Sequence, residues 1–224
     1  MRTLAIGDIH GCLSALDRLL DAVAPARGDL VVTLGDYCNR GPNTRGAIER
    51  LIALGREVDL VALRGNHDFM MLVARSHKDG RRSWLDMGGR ATLSSYRSRR
   101  LDAVPETHWR FLADTCRDWY ETPSHIYVHA GVEPELGLDE QPNVRLHWTR
   151  VDDAQPHVSG RVVVCGHSAQ RSGAPLNLGH TICIDTGCVY GGWLTCLHVE
   201  AGRMWQTSMR GEQREGALPA AERW

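Results

Sequence analysis

Seven polar side chains that can bind a metal ion follow short apolar segments of this 224-residue sequence. They are Asp8, His10, Asp36, Asn66, His67, His129 and His167. The segments before them read as strands, and in open α/β sheets binding sites form beyond the carboxyl ends of strands. Imidazole, carboxylate and amide oxygen together suit manganese, iron or zinc rather than calcium. The sequence therefore predicts a site for divalent metal ions.

The number of candidate ligands indicates two ions rather than one. A carboxylate has two oxygens, so one Asp can bridge a pair of metals. Two divalent ions about 3.5–4 Å apart can share a water and lower its pKa. They can also neutralise a phosphate as charge builds up in the transition state. The chemistry that this set of ligands favours is hydrolysis of a phosphate ester.

Each of these residues alone is weak support, because Asp8 could simply cap the following helix and the glycines could simply form turns. The combined pattern is much more specific. Asp-x-His, Gly-Asp-x-x-x-Arg-Gly and Gly-Asn-His-Asp each follow a strand-like run, at 8–10, 35–41 and 65–68. Such a series is hard to reach by chance.

The elements that must position these residues change in character along the chain. Strand-like runs at 4–6, 30–34 and 58–63 alternate with helical stripes at 13–23 and 44–54, which favours an α/β fold. The last third is mostly β, at 162–165, 181–184, 193–199 and 203–207. We expect one domain over 1–224, a central β-sandwich of two mixed sheets flanked by helices, with 211–224 as a flexible tail.

Composition narrows the classes of partner. Net charge is −1, which is unusual for a general nucleic-acid binder, so no nucleic acid is expected. No stretch approaches the roughly 18–20 apolar residues of a membrane helix. The seven scattered cysteines read as buried free thiols in a reducing compartment. We expect a cytoplasmic protein without a membrane partner, and the oligomeric state stays open.

The motifs resemble those of the phosphoprotein phosphatase superfamily of metallophosphoesterases, and among them those of bacterial and phage-type serine/threonine protein phosphatases. The three signature blocks are Gly7-Asp8-Ile9-His10-Gly11, Gly35-Asp36-Tyr37-Cys38-Asn39-Arg40-Gly41 and Gly65-Asn66-His67-Asp68. The later ones are His129-Ala130-Gly131, Gly166-His167-Ser168 and Ile184-Asp185-Thr186-Gly187. The resemblance extends from residue 4 to about residue 199, and the fold it implies is the same flanked β-sandwich.

The resemblance also implies a role for each matching residue. Asp8, His10 and Asp36 would hold one metal; Asp36, Asn66, His129 and His167 would hold the other, with Asp36 bridging. His67 would be the general acid for the leaving alcohol, and Arg40 and Arg150 would bind the phosphate, because a guanidinium matches two phosphate oxygens. The implied metals are manganese first, with iron and zinc as alternatives. A hydroxide activated by both metals would attack phosphorus directly.

Asn39 departs from the family pattern. Most protein phosphatases of this family have an Asp there, which pairs with the catalytic His and keeps it protonated. We expect the Asn39 amide oxygen to accept a hydrogen bond from the His67 ring without supplying negative charge. The pKa of His67 should then be lower, and substrates with poor leaving groups should suffer most.

Three functions compete at this stage. The first is a metal-dependent phosphatase acting on phosphoserine or phosphothreonine in proteins. The second is a hydrolase of dinucleoside polyphosphates or other small phosphoesters, which Asn39 and Asp68 favour because both features also occur there. The third is a pseudophosphatase that uses the site to bind a phosphorylated partner without cleaving it.

Overall fold

The computed structural model describes residues 2–221. Its strands are β1 (Thr3–Ile6), β2 (Leu30–Thr33), β3 (Asp59–Ala62), β4 (Trp119–Glu121), β5 (His125–Val128), β6 (Val162–Cys165), β7 (Leu176–Asn177), β8 (Thr181–Cys183), β9 (Asp185–Thr186), β10 (Trp193–His198), β11 (Arg203–Thr207) and β12 (Gln213–Ala217). Its α-helices are α1 (Leu13–Val23), α2 (Thr44–Leu54), α3 (Asn66–Ser76), α4 (Lys78–Trp84), α5 (Arg90–Ser95), α6 (Glu106–Arg110) and α7 (Asn143–Trp148). Short 3₁₀ and π turns join several of them.

The strands form two mixed sheets. The first has the order β12-β11-β10-β1-β2-β3, and the short β9 also pairs with β10. Within it β1, β2 and β3 run parallel, whereas β10 pairs antiparallel with both β1 and β11. The second has the order β4-β5-β6-β8-β7, with β5, β6 and β8 parallel. The predicted fold, two mixed sheets flanked by helices, is confirmed.

The hydrophobic core has a layer between the two sheets and a layer on the outer side of each. Ala5 and Val32 of the first sheet pack with Tyr127 and Val164 of the second. Leu4 and Ile6, the neighbours of Ala5, point the other way into the cluster beneath α1 and α2. Strand β1 is therefore buried on both faces, as its nearly continuous apolar sequence predicts. Each such buried aliphatic side chain stabilises the fold by about 2 kcal/mol.

Two segments differ from the sequence-based expectation. The prediction of a flexible tail is wrong for β12, which pairs with β11 in register from Arg203↔Ala217 to Thr207↔Gln213. Every residue of β12 is exposed, so it lacks the apolar alternation that would have marked it as a strand. Residues 222–224 of the predicted tail lie outside the described part. Residues 78–84, which lie outside the helical stripes recognised in the sequence, form helix α4.

All seven cysteines are buried free thiols, as expected from their apolar surroundings. Within residues 2–221, no helix combines the length and the apolar character required to cross a bilayer.

Candidate metal centre

The candidate ligands converge at one edge of the sandwich because both sheets end there. Strands β1, β2 and β3 are parallel neighbours, so the residues that follow them, Asp8, Asp36 and Asn66, meet at their carboxyl ends. In the second sheet β5 and β6 are also parallel, and His129 and His167 follow them. The topology thus brings together residues separated by as many as 159 positions: the His167 amide donates to both Asp8 carboxylate oxygens, at 3.1 and 3.2 Å.

The backbone is strained where these side chains are presented. Seven non-glycine residues of the described chain have positive φ, a region that L-residues rarely adopt. Five of them belong to the predicted site: His10, Asp36, Asn39, Arg40 and His167. Such strain persists only where the surrounding structure fixes it, and it is typical of functional sites.

Asp36 occupies the centre of the cluster. One group of candidate ligand atoms joins it to His10 and His67, and another joins it to Asp8 and His129, with all atoms of each group within 4.8 Å of one another. One Asp36 oxygen lies 3.3 Å from His10 Nε2 and the other lies 3.6 Å from His129 Nε2. The two carboxylate oxygens therefore face two different halves of the site, which is the arrangement that a bridging ligand needs.

The second half of the site is built around the amide oxygen of Asn66. His129 Nε2 lies 3.1 Å from this oxygen and His167 Nδ1 lies 3.3 Å from it. The other ring nitrogen of His129 is engaged elsewhere, since Nδ1 donates to the Leu34 carbonyl at 2.7 Å. A ring nitrogen that donates to a carbonyl must carry the proton, which fixes the tautomer of the histidine. The ring nitrogen that faces Asn66 then keeps a free lone pair.

His10 is oriented in the same way, because its Nδ1 donates to the Cys38 carbonyl at 2.8 Å. Burial and the Arg40 charge lower the pKa of His10 to about 3, so the ring is neutral and its Nε2 is a lone-pair donor. Arg40 Nη1 donates to that nitrogen at 2.8 Å, which places the guanidinium at the rim of the cluster. The donor set and its outer hydrogen bonds fit divalent transition metals.

Two glycines allow the carboxylates of Asp36 and Asp8 to lie close to the backbone of the opposite motif. A Cβ on Gly65 would lie 2.1 Å from an Asp36 carboxylate oxygen, and a Cβ on Gly166 would lie 2.1 Å from an Asp8 oxygen. Neither space can hold a side chain. The glycines that precede Asn66 and His167 in the sequence motifs are therefore required sterically by the carboxylates opposite them.

Asp68 holds two of the motif loops together. Its carboxylate accepts backbone hydrogen bonds from Tyr37 at 3.0 Å, Cys38 at 3.2 Å and Gly65 at 3.0 Å. It thus links the loop after β2 with the start of α3, and it does so beneath the ligands Asp36 and Asn66. Asp68 is fully buried, so it can position the candidate ligands but is not accessible to a substrate.

Negative charge accumulates in the buried part of the site. Burial and the nearby carboxylates of Asp185 and Asp36 raise the pKa of Asp8 well above its usual range. Burial and Asp68 do the same to the pKa of Asp36. Burial raises the pKa of Asp185 to about 6. Buried carboxylates at such close range call for cations, which two divalent ions would supply.

Asn39 contacts His67 differently from the sequence-based expectation. The amide nitrogen of Asn39, and not its oxygen, lies 2.8 Å from His67 Nδ1. Nδ2 also donates to the Met87 carbonyl at 3.2 Å, while Oδ1 accepts from the Thr92 hydroxyl at 3.3 Å. These two outer contacts fix the orientation of the amide. The expectation that the Asn39 oxygen accepts from the ring is therefore wrong, and the ring accepts from Asn39.

This contact determines the tautomer of His67. Because Nδ1 accepts a hydrogen bond, the proton of the neutral ring lies on Nε2. Burial, followed by the neighbouring His10 imidazole and the Arg40 guanidinium, lowers the pKa of His67 to about 2. His67 is therefore a neutral donor through Nε2–H. Its Nε2–H can still donate a hydrogen bond to a leaving group, but it gives up the proton far less readily than an imidazolium does.

A cavity of about 770 Å³ opens over the cluster. The predicted site residues that line it are Asp36, Arg40, Asn66, His67, Arg150 and His167. Arg150, which we assigned from the resemblance, thus lies at the cavity, and burial together with the Arg150 charge lowers the pKa of His167 to about 4. Asp8, His10, Asn39 and His129 lie deeper, each at most 4 % exposed.

Three further groups at the cavity were not assigned from the sequence. Asp185 lines its wall; among the described residues, the only hydrogen bond that its carboxylate accepts comes from the Gly187 amide, at 3.0 Å. Arg171 lines the mouth, together with the exposed apolar side chains of Met87, Trp148 and Tyr190. Asp185 could have been found, because it follows the strand-like run 181–184, and Asp8 and Asp36 also follow such runs. The rim residues lie in loops without a comparable signal.

Comparison with known proteins agrees with this geometry. A family model described as calcineurin-like phosphoesterase matches residues 1–171. Serine/threonine-protein phosphatase 1 of Salmonella typhimurium is 32 % identical over 208 residues, which cover 87 % of this chain and 90 % of that protein. The symmetrical bis(5'-nucleosyl)-tetraphosphatase of Chromohalobacter salexigens is 29 % identical, over 90 % of this chain and 96 % of that protein.

The fold is also found in solved structures. A protein serine/threonine phosphatase from Saccharomyces cerevisiae superposes with a TM-score of 0.65 over 100 % of this chain and 81 % of that chain, at 13 % sequence identity. At this level of identity the likeness concerns the architecture alone.

Proposed function

We propose a substrate class for this chain from one premise: it belongs to the calcineurin-like phosphoesterase family, and it is a metal-dependent phosphoester hydrolase. The proposed substrates are phosphoserine and phosphothreonine in proteins. The observation that carries this proposal is the shape of the site. The ligand cluster lies at the floor of an open cavity whose rim exposes Met87, Trp148 and Tyr190 by 42, 41 and 65 %. A phosphorylated side chain can reach the floor while its peptide backbone stays at the rim.

The relative from Salmonella typhimurium supports the same proposal, because it is matched over nearly its whole length and is named a serine/threonine-protein phosphatase. The seven buried free thiols are consistent with a reducing compartment, and we propose the cytoplasm. The net charge of −1 argues against a general nucleic-acid substrate.

The residues of this chain perform distinct tasks in the proposed reaction. Asp8, His10 and Asp36 would hold one divalent ion, and Asp36, Asn66, His129 and His167 would hold a second; manganese is the first choice. Bound there, the metals would supply Lewis-acid chemistry and lower the pKa of water. Arg40 and Arg150 line the cavity and would orient the phosphate oxygens. His67 would donate a hydrogen bond from Nε2–H to the departing oxygen.

A second candidate function follows from the contact between Asn39 and His67. A neutral imidazole is a weak acid, and a serine alkoxide is a poor leaving group that needs strong protonation. The leaving group of a phosphoanhydride is itself a phosphate, which departs with little help. The absence of a carboxylate at position 39 therefore favours hydrolysis of a dinucleoside polyphosphate, the activity for which the Chromohalobacter salexigens relative is named.

One experiment tests both candidates. Protein stripped of metal is assayed on p-nitrophenyl phosphate with and without Mn²⁺, alongside Asp36→Asn, and then on a phosphoserine peptide and on diadenosine tetraphosphate. We expect activity that Mn²⁺ restores and that Asp36→Asn loses, with a higher kcat/KM on the peptide. A higher kcat/KM on diadenosine tetraphosphate would support the second candidate. Tight binding of the peptide without turnover on any substrate would indicate a pseudophosphatase.

A further inference from the structure

The mouth of the cavity carries one positively charged residue, Arg171, that has no role in the proposed reaction. Of the charged residues that line the cavity, the carboxylates Asp36 and Asp185 are buried among the metal ligands. Arg150 and Arg171 are exposed at the mouth. Arg150 lies 3.4 Å from Asp152, whereas Arg171 forms no ion pair with any carboxylate of residues 2–221.

The loop that carries Arg171 is held firmly at both ends. The Gln170 amide donates to the Asp185 carbonyl at 2.8 Å, which ties the loop to the wall of the cavity. On the other side the Gly173 carbonyl accepts from Gln206 at 2.9 Å and from Arg214 at 2.6 Å. Gly173 also closes a turn onto the Gln170 carbonyl at 3.0 Å. The position of the Arg171 backbone is therefore fixed before any ligand binds.

From these observations we propose that Arg171 binds a second anionic group of the substrate, close to the phosphate that is cleaved. Arg40 and Arg150 suffice for the phosphate itself, because a guanidinium contacts two oxygens at once. An unpaired guanidinium on an anchored loop at the same cavity then selects substrates that carry another carboxylate or phosphate near the scissile group. This inference rests on the proposed phosphatase activity and adds a specificity determinant to it.

Two substrates share this chemistry, and the measurement separates them. The first comparison uses two phosphoserine peptides that differ only in Glu or Gln beside the phosphoserine. The second compares diadenosine tetraphosphate with p-nitrophenyl phosphate. The first ratio is kcat/KM on the Glu peptide divided by kcat/KM on the Gln peptide, and the second is kcat/KM on diadenosine tetraphosphate divided by kcat/KM on p-nitrophenyl phosphate. Both ratios are measured for the wild type, Arg171→Ala, Arg171→Lys and the control Arg56→Ala, which removes an exposed arginine outside the cavity.

We expect Arg171→Ala to lower at least one of the two ratios about fivefold to tenfold, mainly through KM, because an exposed charge-assisted contact has about this strength. Arg171→Lys should restore part of the loss, and Arg56→Ala should change neither ratio. A lower ratio for the peptides identifies an acidic side chain as the second group. A lower ratio for diadenosine tetraphosphate alone identifies a neighbouring phosphate. Two unchanged ratios in Arg171→Ala would overturn the proposal.

A separate measurement keeps this inference distinct from the proposed function. If neither the peptides nor diadenosine tetraphosphate are cleaved, the proposed substrates are wrong, but Arg171 can still be tested. Phosphate and pyrophosphate are then compared as competitive inhibitors of p-nitrophenyl phosphate hydrolysis in excess Mn²⁺. The preference for pyrophosphate should fall about fivefold in Arg171→Ala. An identical preference in variant and wild type would again overturn the assignment.

Discussion

The Asn39 amide nitrogen lies 2.8 Å from Nδ1 of His67 and donates a hydrogen bond to it. An aspartate at this position would instead accept a proton from the ring and stabilise the imidazolium. Asn39 in the second motif, together with the burial of the ring, thus leaves His67 a neutral donor. The distinction affects substrates unequally, because only a poor leaving group needs the stronger acid.

We therefore expect Asn39→Asp to raise kcat on a phosphoserine peptide about tenfold, the scale of a modest change in general-acid strength. A carboxylate raises the pKa of a neighbouring His, so the alkaline limb of the pH–rate profile should move to higher pH in the variant. On p-nitrophenyl phosphate, a good leaving group, the gain should be small. Measuring kcat against pH on both substrates checks this. Equal gains on both would contradict the role assigned to Asn39.

Asp185 should affect metal binding and stability in opposite directions. It is a buried carboxylate beside Asp8, and burial raises its pKa to about 6, so its negative charge disfavours the metal-free fold at pH 7. We expect Asp185→Asn to raise the Tm of the metal-free protein and to weaken Mn²⁺ affinity about tenfold, as outer residues of metal sites do. Calorimetric titration and thermal unfolding measure the two effects. Asp86→Asn, at an exposed carboxylate, is the control, and equal affinity in Asp185→Asn would refute the prediction.

Gly166→Ala should disrupt the site by steric displacement. The new Cβ would lie 2.1 Å from an Asp8 oxygen, so Asp8 must move. Because a displacement of about 1 Å costs on the order of 10²-fold in rate, we expect a loss of that size on p-nitrophenyl phosphate, together with weaker Mn²⁺ binding. Gly137→Ala is the matched control, since its nearest contact would be an ordinary 3.5 Å. Normal metal affinity in Gly166→Ala would show that Asp8 is no ligand.

Asp29 should stabilise the fold in a pH-dependent way, far from the site. Its carboxylate accepts hydrogen bonds from the Arg2 amide at 3.0 Å, the Arg2 guanidinium at 2.6 Å and the Ala26 amide at 3.0 Å. The Arg2 side chain, followed by the backbone donors, holds the pKa of Asp29 below its usual range. A depressed carboxyl pKa stabilises the folded state above the unfolded pKa of about 4, and that contribution is lost as pH falls further.

We accordingly expect Asp29→Asn to lower the free energy of unfolding by about 1–2 kcal/mol at pH 7, the range for hydrogen bonds to a partly exposed charge. The difference from the wild type should persist at pH 5 and shrink below about pH 4. Urea unfolding at each pH measures it, with Asp114→Asn, at an exposed residue, as the control. A difference independent of pH would mean that the Asp29 charge plays no part.

The strands and the convergence of the candidate ligands could be predicted because their signals are local. Apolar runs such as 30–33 are buried on both faces of a parallel sheet, and the polar motif residue a few positions after each run lies at its carboxyl end. Parallel pairing then places Asp8, Asp36 and Asn66 together without any knowledge of the loops.

The features that were missed depend on contacts between distant segments. The orientation of the Asn39 amide is fixed by Thr92 and Met87, about 50 residues away, and no pattern around position 39 reports them. Strand β12 is exposed along its whole length, and only its pairing with β11 defines it. Arg171 gains its place at the cavity from a loop anchored by Gln206 and Arg214.

The positive φ angles of His10, Asp36, Asn39, Arg40 and His167 also bear on how stable this protein can become. Each such residue costs the folded state about 1–3 kcal/mol relative to a relaxed backbone. Glycine would remove that cost, yet it would also remove the imidazole, carboxylate, amide or guanidinium. Selection for hydrolysis thus keeps the native state less stable than the fold allows, and the most stable descendants of this chain would be inactive ones.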